Sequence, residues 1–124
     1  MQLYVLDDLY AIVRLEPDAE LPAWLRGSTL CSATRTDNEL SLVCRAEDVP
    51  VDASAERGFV AFEVAGPLDF SLTGVVASLV TPLADEEIPL FVMSTFETDY
   101  LLVREHDLHR SVEALTSAGH TVDA

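Results

Sequence analysis

Lysine is absent from this chain. All seven basic residues are arginine, set against 22 Asp and Glu, which leaves a net charge of -15 over 124 residues. A phosphate backbone or an anionic lipid surface would be repelled along most approaches, so neither nucleic acid nor a membrane is expected as a partner. The charge is read first as a source of solubility. Long apolar runs are lacking as well, none nearing the roughly 20 residues needed to cross a bilayer. The opening MQLYVLDD also lacks the basic, apolar, small-residue order of a signal peptide, so a cytoplasmic location is expected. Cysteine is scarce: Cys31 and Cys44 are too few for a secreted disulfide scaffold. A hairpin turning near Asp37-Asn38 would set them opposite each other and makes a cross-strand disulfide conceivable, but the expected compartment favours two reduced, half-buried thiols. Neither has a C-x-x-C neighbour, so metal or redox chemistry is not expected, and no cofactor is assigned.

What remains is nearly half hydrophobic and patterned for one ordinary domain, or two very small ones sharing a core. LYAIVRLE (9 to 16) alternates as a strand, PDAELPAWLRGS holds at most a short helical stretch, and TLCSATRT (29 to 36) with LSLVC (40 to 44) forms a hairpin. Trp24 either stacks at a module interface or plugs the short first helix, and the plug is favoured. EDVPVDASAERG (47 to 58) reads as a linker. GFVAFEVAG (58 to 66) is a strand, and Val75, Val76, Leu79, Val80 and Leu83 fall at helical spacing, predicting a helix from about Thr73 to Glu87 capped by Ser71 or Thr73. IPLFVMSTF (88 to 96) and YLLVR (100 to 104) make a second hairpin with a two-residue turn at Glu97-Thr98. HDLHRSVEALTSAG (106 to 119) closes as a helix that starts near Asp107 and stops at Gly119.

The halves echo each other. At an offset of 60, TRTDNELSLV (34 to 43) lies over STFETDYLLV (94 to 103), matching Glu39 with Asp99, and at an offset of 50 Pro17 meets Pro67. Repetition of a strand, helix, strand, strand unit predicts an α+β fold: two ferredoxin-like βαββ modules in tandem, residues 1–58 with a shortened helix and a linker and residues 59–124, with antiparallel sheets and helices on one face.

The segment from 71 to 108 carries Gly74, Pro82-Leu83-Ala84, Ser94-Thr95-Phe96, Thr98-Asp99-Tyr100, Leu102-Val103 and Asp107-Leu108. It resembles the ACT domains of the CASTOR type, cytosolic amino-acid sensors with small bacterial relatives. LYVLDDLYAIVRL and TLCSATRTDNELSLV resemble the N-terminal half of the same family. The resemblance implies a non-catalytic regulatory protein, two ACT modules that dimerise side by side and hold an amino acid or related metabolite at an interface between modules, with a regulated protein as a further partner. It also implies the lining: Leu72, Gly74, Val75, Thr95, Phe96, Thr98 and Asp99, with Ile88, Pro89 and Leu90 contributed from a neighbouring module. The apolar Leu72 and the small Thr98 stand where the arginine sensors have a Glu and an aromatic, so a neutral or apolar amino acid is expected rather than arginine.

The residues themselves suit such a ligand. Asp99 can accept from an α-ammonium, while free amides at a helix N-terminus beside Gly74 suit an α-carboxylate. The bland reading is that Asp99 caps a turn, Thr95 and Thr98 are ordinary strand and turn residues, and Gly74 serves packing. A ligand-free fold used as a protein-interaction scaffold is the competing function. His106, His109 and Glu113 fall at helical spacing on one face and are read as surface residues, not as a metal site. His120, in the C-terminal tail, shows no partner signal.

Overall fold

The computed structural model describes residues 1–27 and 29–124. Strands β1 (Gln2–Leu15), β2 (Ser32–Arg35), β3 (Leu40–Arg45) and β4 (Ala55–Val64) precede helix α1 (Val75–Asp85). Then come β5 (Leu90–Ser94), β6 (Asp99–Arg104), helix α2 (Leu108–Ser117) and β7 (Thr121–Asp123), with single 3-10 turns at Ala46–Asp48 and Glu105–Asp107. The chain forms two compact units, Met1–Asp7 with Val60–Ala124 and Asp8–Phe59, so β1 and β4 each contribute to both. The expected cut at 58/59 therefore falls inside β4, and residues 1–7 belong with the C-terminal body. None of the described helices is long and apolar enough to cross a membrane.

The helical unit is α+β. Its strands run β7, β1, β4, β6, β5 in order of pairing. β7, too short to show a pattern in the sequence, lies parallel to β1 through Gln2 to Tyr4, and β5 is antiparallel to β6 from Leu90 opposite Val103 to Ser94 opposite Asp99. Phe62 and Val64 of β4 and Leu101 and Val103 of β6 are two residues apart on their strands, so each pair points to one face, where Leu3 joins them. Leu79 and Leu83, four apart on α1, and Leu115 of α2 cover that face. Each of these buried leucines is worth about 1.5–3 kcal/mol of apolar burial.

α1 begins at Val75 and ends at Asp85, and neither Ser71 nor Thr73 caps it: its N-cap is Gly74, at φ 77 in the left-handed region, with no side-chain bond. Pro82 sits inside the helix and has no N–H, so the carbonyl of Ser78 loses its i+4 donor. His120 supplies one, its Nε2 donating to the Ser78 oxygen at 3.0 Å while Nδ1 lies 3.0 Å from the Met1 nitrogen. The tail histidine thus completes the proline-broken helix. α2 ends at Ser117, where Gly119 (φ 99) lets the His120 amide reach back to the Leu115 carbonyl at 3.1 Å.

The hairpin unit pairs β2, β3, β1 and β4 in that order, with Tyr10 to Leu15 of β1 antiparallel to β3. Ala11, Val13, Leu40, Leu42, Cys44 and Val49 form its core. The expected short helix between residues 17 and 28 is not formed at any described position; Pro17 and Pro22 punctuate the stretch, and the Arg35 guanidinium bonds the carbonyls of Pro17 and Ala19. Trp24 and Leu25 pack on the core from this loop, Trp24 plugging the sheet without a helix beneath it. The expected linker is shorter than read, since β4 already begins at Ala55.

Candidate ligand-binding site

The β5–β6 turn is built by its own threonines. Ser94 and Asp99 are the last paired residues, so four residues, Thr95 to Thr98, make the connection where two were expected. The Thr95 amide donates to the Thr98 carbonyl at 2.8 Å, and the Thr98 amide donates to Thr95 Oγ1 at 3.3 Å. Thr98 is buried, and its hydroxyl donates to the Val64 carbonyl at 2.6 Å, tying the turn to β4. Asp99 opens the return strand as expected, and its Oδ1 accepts from the Ser94 hydroxyl at 2.5 Å.

The chain from β4 to α1 is pressed against this turn. The Leu68 amide donates to the Glu97 carbonyl at 2.7 Å. A Cβ at Gly66 would lie 3.1 Å from that same carbonyl and 3.2 Å from the Thr98 Cβ, so glycine permits the approach. Asp69 then folds the loop: its Oδ1 accepts from both the amide and the hydroxyl of Ser71, at 2.8 and 2.7 Å, and these bonds hold its carboxyl below the ordinary range. The loop delivers Gly74 and the start of α1. In α1 the Ser78 amide donates to the Gly74 carbonyl at 2.9 Å, so the amides of Val75, Val76 and Ala77 have no intrahelical acceptor.

Between the helix start and the turn opens a cavity of about 380 Å³. Leu72, Gly74 and Val75 line it from the helix side, and Thr95, Phe96, Thr98 and Asp99 from the turn, so all seven residues expected on these two segments meet. Leu68, Asp69, Phe70, Val76, Ala77, Ser94 and Glu97 complete the wall and were not anticipated. The Asp-x-Ser turn at Asp69 and the aromatic Phe70 before the helix were the available signals. Phe70 and Phe96 stand together at the mouth with ring centroids 5.4 Å apart, 81% and 82% exposed. Every charged side chain in the wall is a carboxylate. Chemically the turn offers the Glu97 and Asp99 carboxylates and the Ser94 hydroxyl, and the helix side offers the Asp69 carboxylate and helix-terminal amides with leucine, valine and phenylalanine side chains.

Ile88, Pro89 and Leu90 are not in this wall. Ile88 is buried in the core of the helical unit, Pro89 is exposed, and Leu90 begins β5 at the end away from the turn. A larger open groove of about 890 Å³ lies between the outer faces of α1 and α2. His106 lies in the 3-10 turn before α2, so it does not share a helical face with His109 and Glu113; it sits 3.5 Å from Asp107, while His109 Nε2 meets Glu113 Oε1 at 2.7 Å.

An ACT domain family model matches residues 54–117, more than half the chain and the segment that holds the cavity. The chain belongs to the ACT domain family. A second model, of an N-terminal domain, matches residues 8–52, inside the hairpin unit. The human cytosolic arginine sensor for mTORC1 subunit 1 is 31% identical over 78 residues, 63% of this chain and 22% of the sensor, so the chain spans about a fifth of that relative's length. A crystal structure of a protein from Agrobacterium tumefaciens is 41% identical, covering 98% of this chain and 91% of that one with a TM-score of 0.93. The ligand-free regulatory subunit of aspartate kinase from Thermus thermophilus, 12% identical with a TM-score of 0.64 over 93% and 97% of the two chains, shares the ACT fold.

Proposed function

We propose that this ACT protein is a cytosolic sensor, a non-catalytic regulator that binds a small amino acid or related metabolite in the cavity between the α1 start and the β5–β6 turn. The observation that carries the reading is the convergence there of residues 68–77, which end in helix-terminal amides, and residues 94–99, which carry Asp99. Asp99, held by Ser94, accepts from the α-ammonium. The free amides of Val75 to Ala77 and the helix dipole take the α-carboxylate. Leu68, Leu72 and Val76 leave the ligand's side chain an apolar place, which suits a neutral or apolar amino acid and gives a guanidinium no partner at Leu72. In this reading the two halves act as a tandem pair of modules, and a homodimer brings Ile88, Pro89 and Leu90 of a neighbour to the open side. A ligand then acts through its different affinity for two interface arrangements.

A thermal-shift screen of the full chain against the common amino acids tests this. A ligand at 100 times its dissociation constant should stabilise the fold by about 2.7 kcal/mol. Calorimetric titration should then show Asp99→Asn weakening that ligand on the order of 10- to 100-fold with the melting temperature of the free protein little changed. Arginine binding far tighter than leucine or threonine would overturn the assigned specificity. No shift with any amino acid would overturn the sensor and favour a second reading, a scaffold that covers the exposed Phe70 and Phe96 with a partner protein.

A further inference from the structure

We propose that Cys31 and Cys44 are a modification site, closing into a cross-strand disulfide by reaction with a low-molecular-weight disulfide such as oxidised glutathione. The β2–β3 ladder pairs Arg35 with Leu40, Thr34 with Ser41, Ala33 with Leu42 and Ser32 with Val43. The next position in that register sets Cys31 opposite Cys44. The kind of pair follows from the turn. The Thr36 amide donates to the Glu39 carbonyl at 2.9 Å, so that pair is hydrogen-bonded, and alternation makes the pair at 31 and 44 a non-hydrogen-bonded one. Such pairs bring Cα atoms to about 4.5 Å, inside the roughly 4.4–6.8 Å that a disulfide spans.

The second hairpin supports the extension. Shifting by 59 residues carries Cys31 and Cys44 onto Leu90 and Val103, which are direct partners in the β5–β6 register. The same shift carries the close pair Arg35 and Leu40 onto Ser94 and Asp99, whose side chains touch at 2.5 Å. Where the second hairpin places two apolar side chains against each other, the first places two thiols. Both are reduced in this structure, Cys31 exposed and Cys44 buried. Burial pushes both thiols up, that of Cys44 to about 11, and Cys31 is the exposed one, so it is the sulfur that meets reagent first.

The reaction balances without a further oxidant. The Cys31 thiolate attacks one sulfur of oxidised glutathione, forming a mixed disulfide and releasing one glutathione thiolate. Cys44 loses its proton to solvent and attacks the Cys31 sulfur, breaking the mixed disulfide and releasing the second glutathione. Two protein thiols are oxidised, and one glutathione disulfide is reduced to two thiols.

The test is to equilibrate the full chain with oxidised glutathione and read intact mass, free thiols after denaturation, and melting temperature. The expected product has lost two hydrogens, has no free thiol and melts higher by on the order of 10 °C, reversibly with reductant. Cys44→Ala should stop at the glutathione adduct on Cys31, and the surface variant Cys31→Ser should leave Cys44 unmodified. A stable adduct on Cys31 in the unmutated chain, or Cys31-linked dimers with Cys44 still free, would overturn the pairing.

Discussion

At the β2–β3 turn the Thr36 amide bonds the Glu39 carbonyl at 2.9 Å, and at the β5–β6 turn the Thr95 amide bonds the Thr98 carbonyl at 2.8 Å. In both, the threonine hydroxyl accepts from amides further round the turn, Asn38 and Glu39 in one and Thr98 in the other. Each return strand runs six residues into a three-residue 3-10 turn, Leu40–Arg45 into Ala46–Asp48 and Asp99–Arg104 into Glu105–Asp107. The difference lies in what the residue before each turn does. Arg35 spends its guanidinium on the carbonyls of Pro17 and Ala19, closing the first hairpin with its own chain. Ser94, in the matching place, is short and reaches only Asp99, and the space beyond it is the cavity. The arginine closes the edge of the first turn, whereas the second opens on the cavity, which is why the proposed ligand is placed at the second.

The largest expected effect separates the turns by their fourth position. Thr98→Val should cost about 1–3 kcal/mol in urea or thermal unfolding, because it leaves the Val64 carbonyl without its buried donor. Glu39→Ala, at the matching and more exposed position, should stay within about 0.5 kcal/mol. Equal costs at the two sites would show that the second turn is not anchored to β4 as its geometry requires.

The shift of 59 residues was open to view in the sequence. LVCRAED (42 to 48) and LLVREHD (101 to 107) share Leu, Arg and Asp at that offset, yet the offset of 60 also matched several apolar residues. β3 and β6 are buried on both faces over Leu42 to Cys44 and Leu101 to Val103, so period-two alternation could not choose between registers one residue apart. The second helix, the two hairpins and both walls of the cavity were legible because Gly, Thr and Asp mark turns by their own chemistry. The loop from 17 to 27 misled because Leu21, Trp24 and Leu25 look amphipathic, while it folds as two turns, Ala19 to Glu16 and Leu25 to Pro22, the first of them bonded by Arg35, a residue of β2. His120 was illegible for the same reason: its partner is a carbonyl freed by Pro82, 38 positions earlier in the sequence.

A smaller effect tests whether the first hairpin is closed by its arginine. Arg35→Ser copies the second hairpin's residue and removes the bonds to two exposed carbonyls, so it should cost about 1 kcal/mol. The titration stoichiometry for the amino acid should stay at one site per chain, because the described residues of the hairpin unit include no α-helix to supply free amides. A second site appearing in Arg35→Ser would mean that the guanidinium alone distinguishes the two copies.

The smallest effect at neutral pH is the one that Cys44 contributes, and it becomes measurable only in alkali. Val103 in the second hairpin cannot titrate, whereas Cys44 is pushed from 9.0 to about 11, chiefly by burial and then by Cys31 and Asp48, with Arg57 opposing. The folded state therefore holds this proton more tightly than the unfolded chain does. The stability linked to it is complete below pH 9, declines as the unfolded thiol ionises, and is lost as pH rises through about 11. Melting curves under reducing conditions should fall across that window in the native sequence and fall less in Cys44→Val, which places valine where the second hairpin has Val103. If both fall alike, the alkaline loss arises elsewhere, and the two hairpin cores respond to pH in the same way.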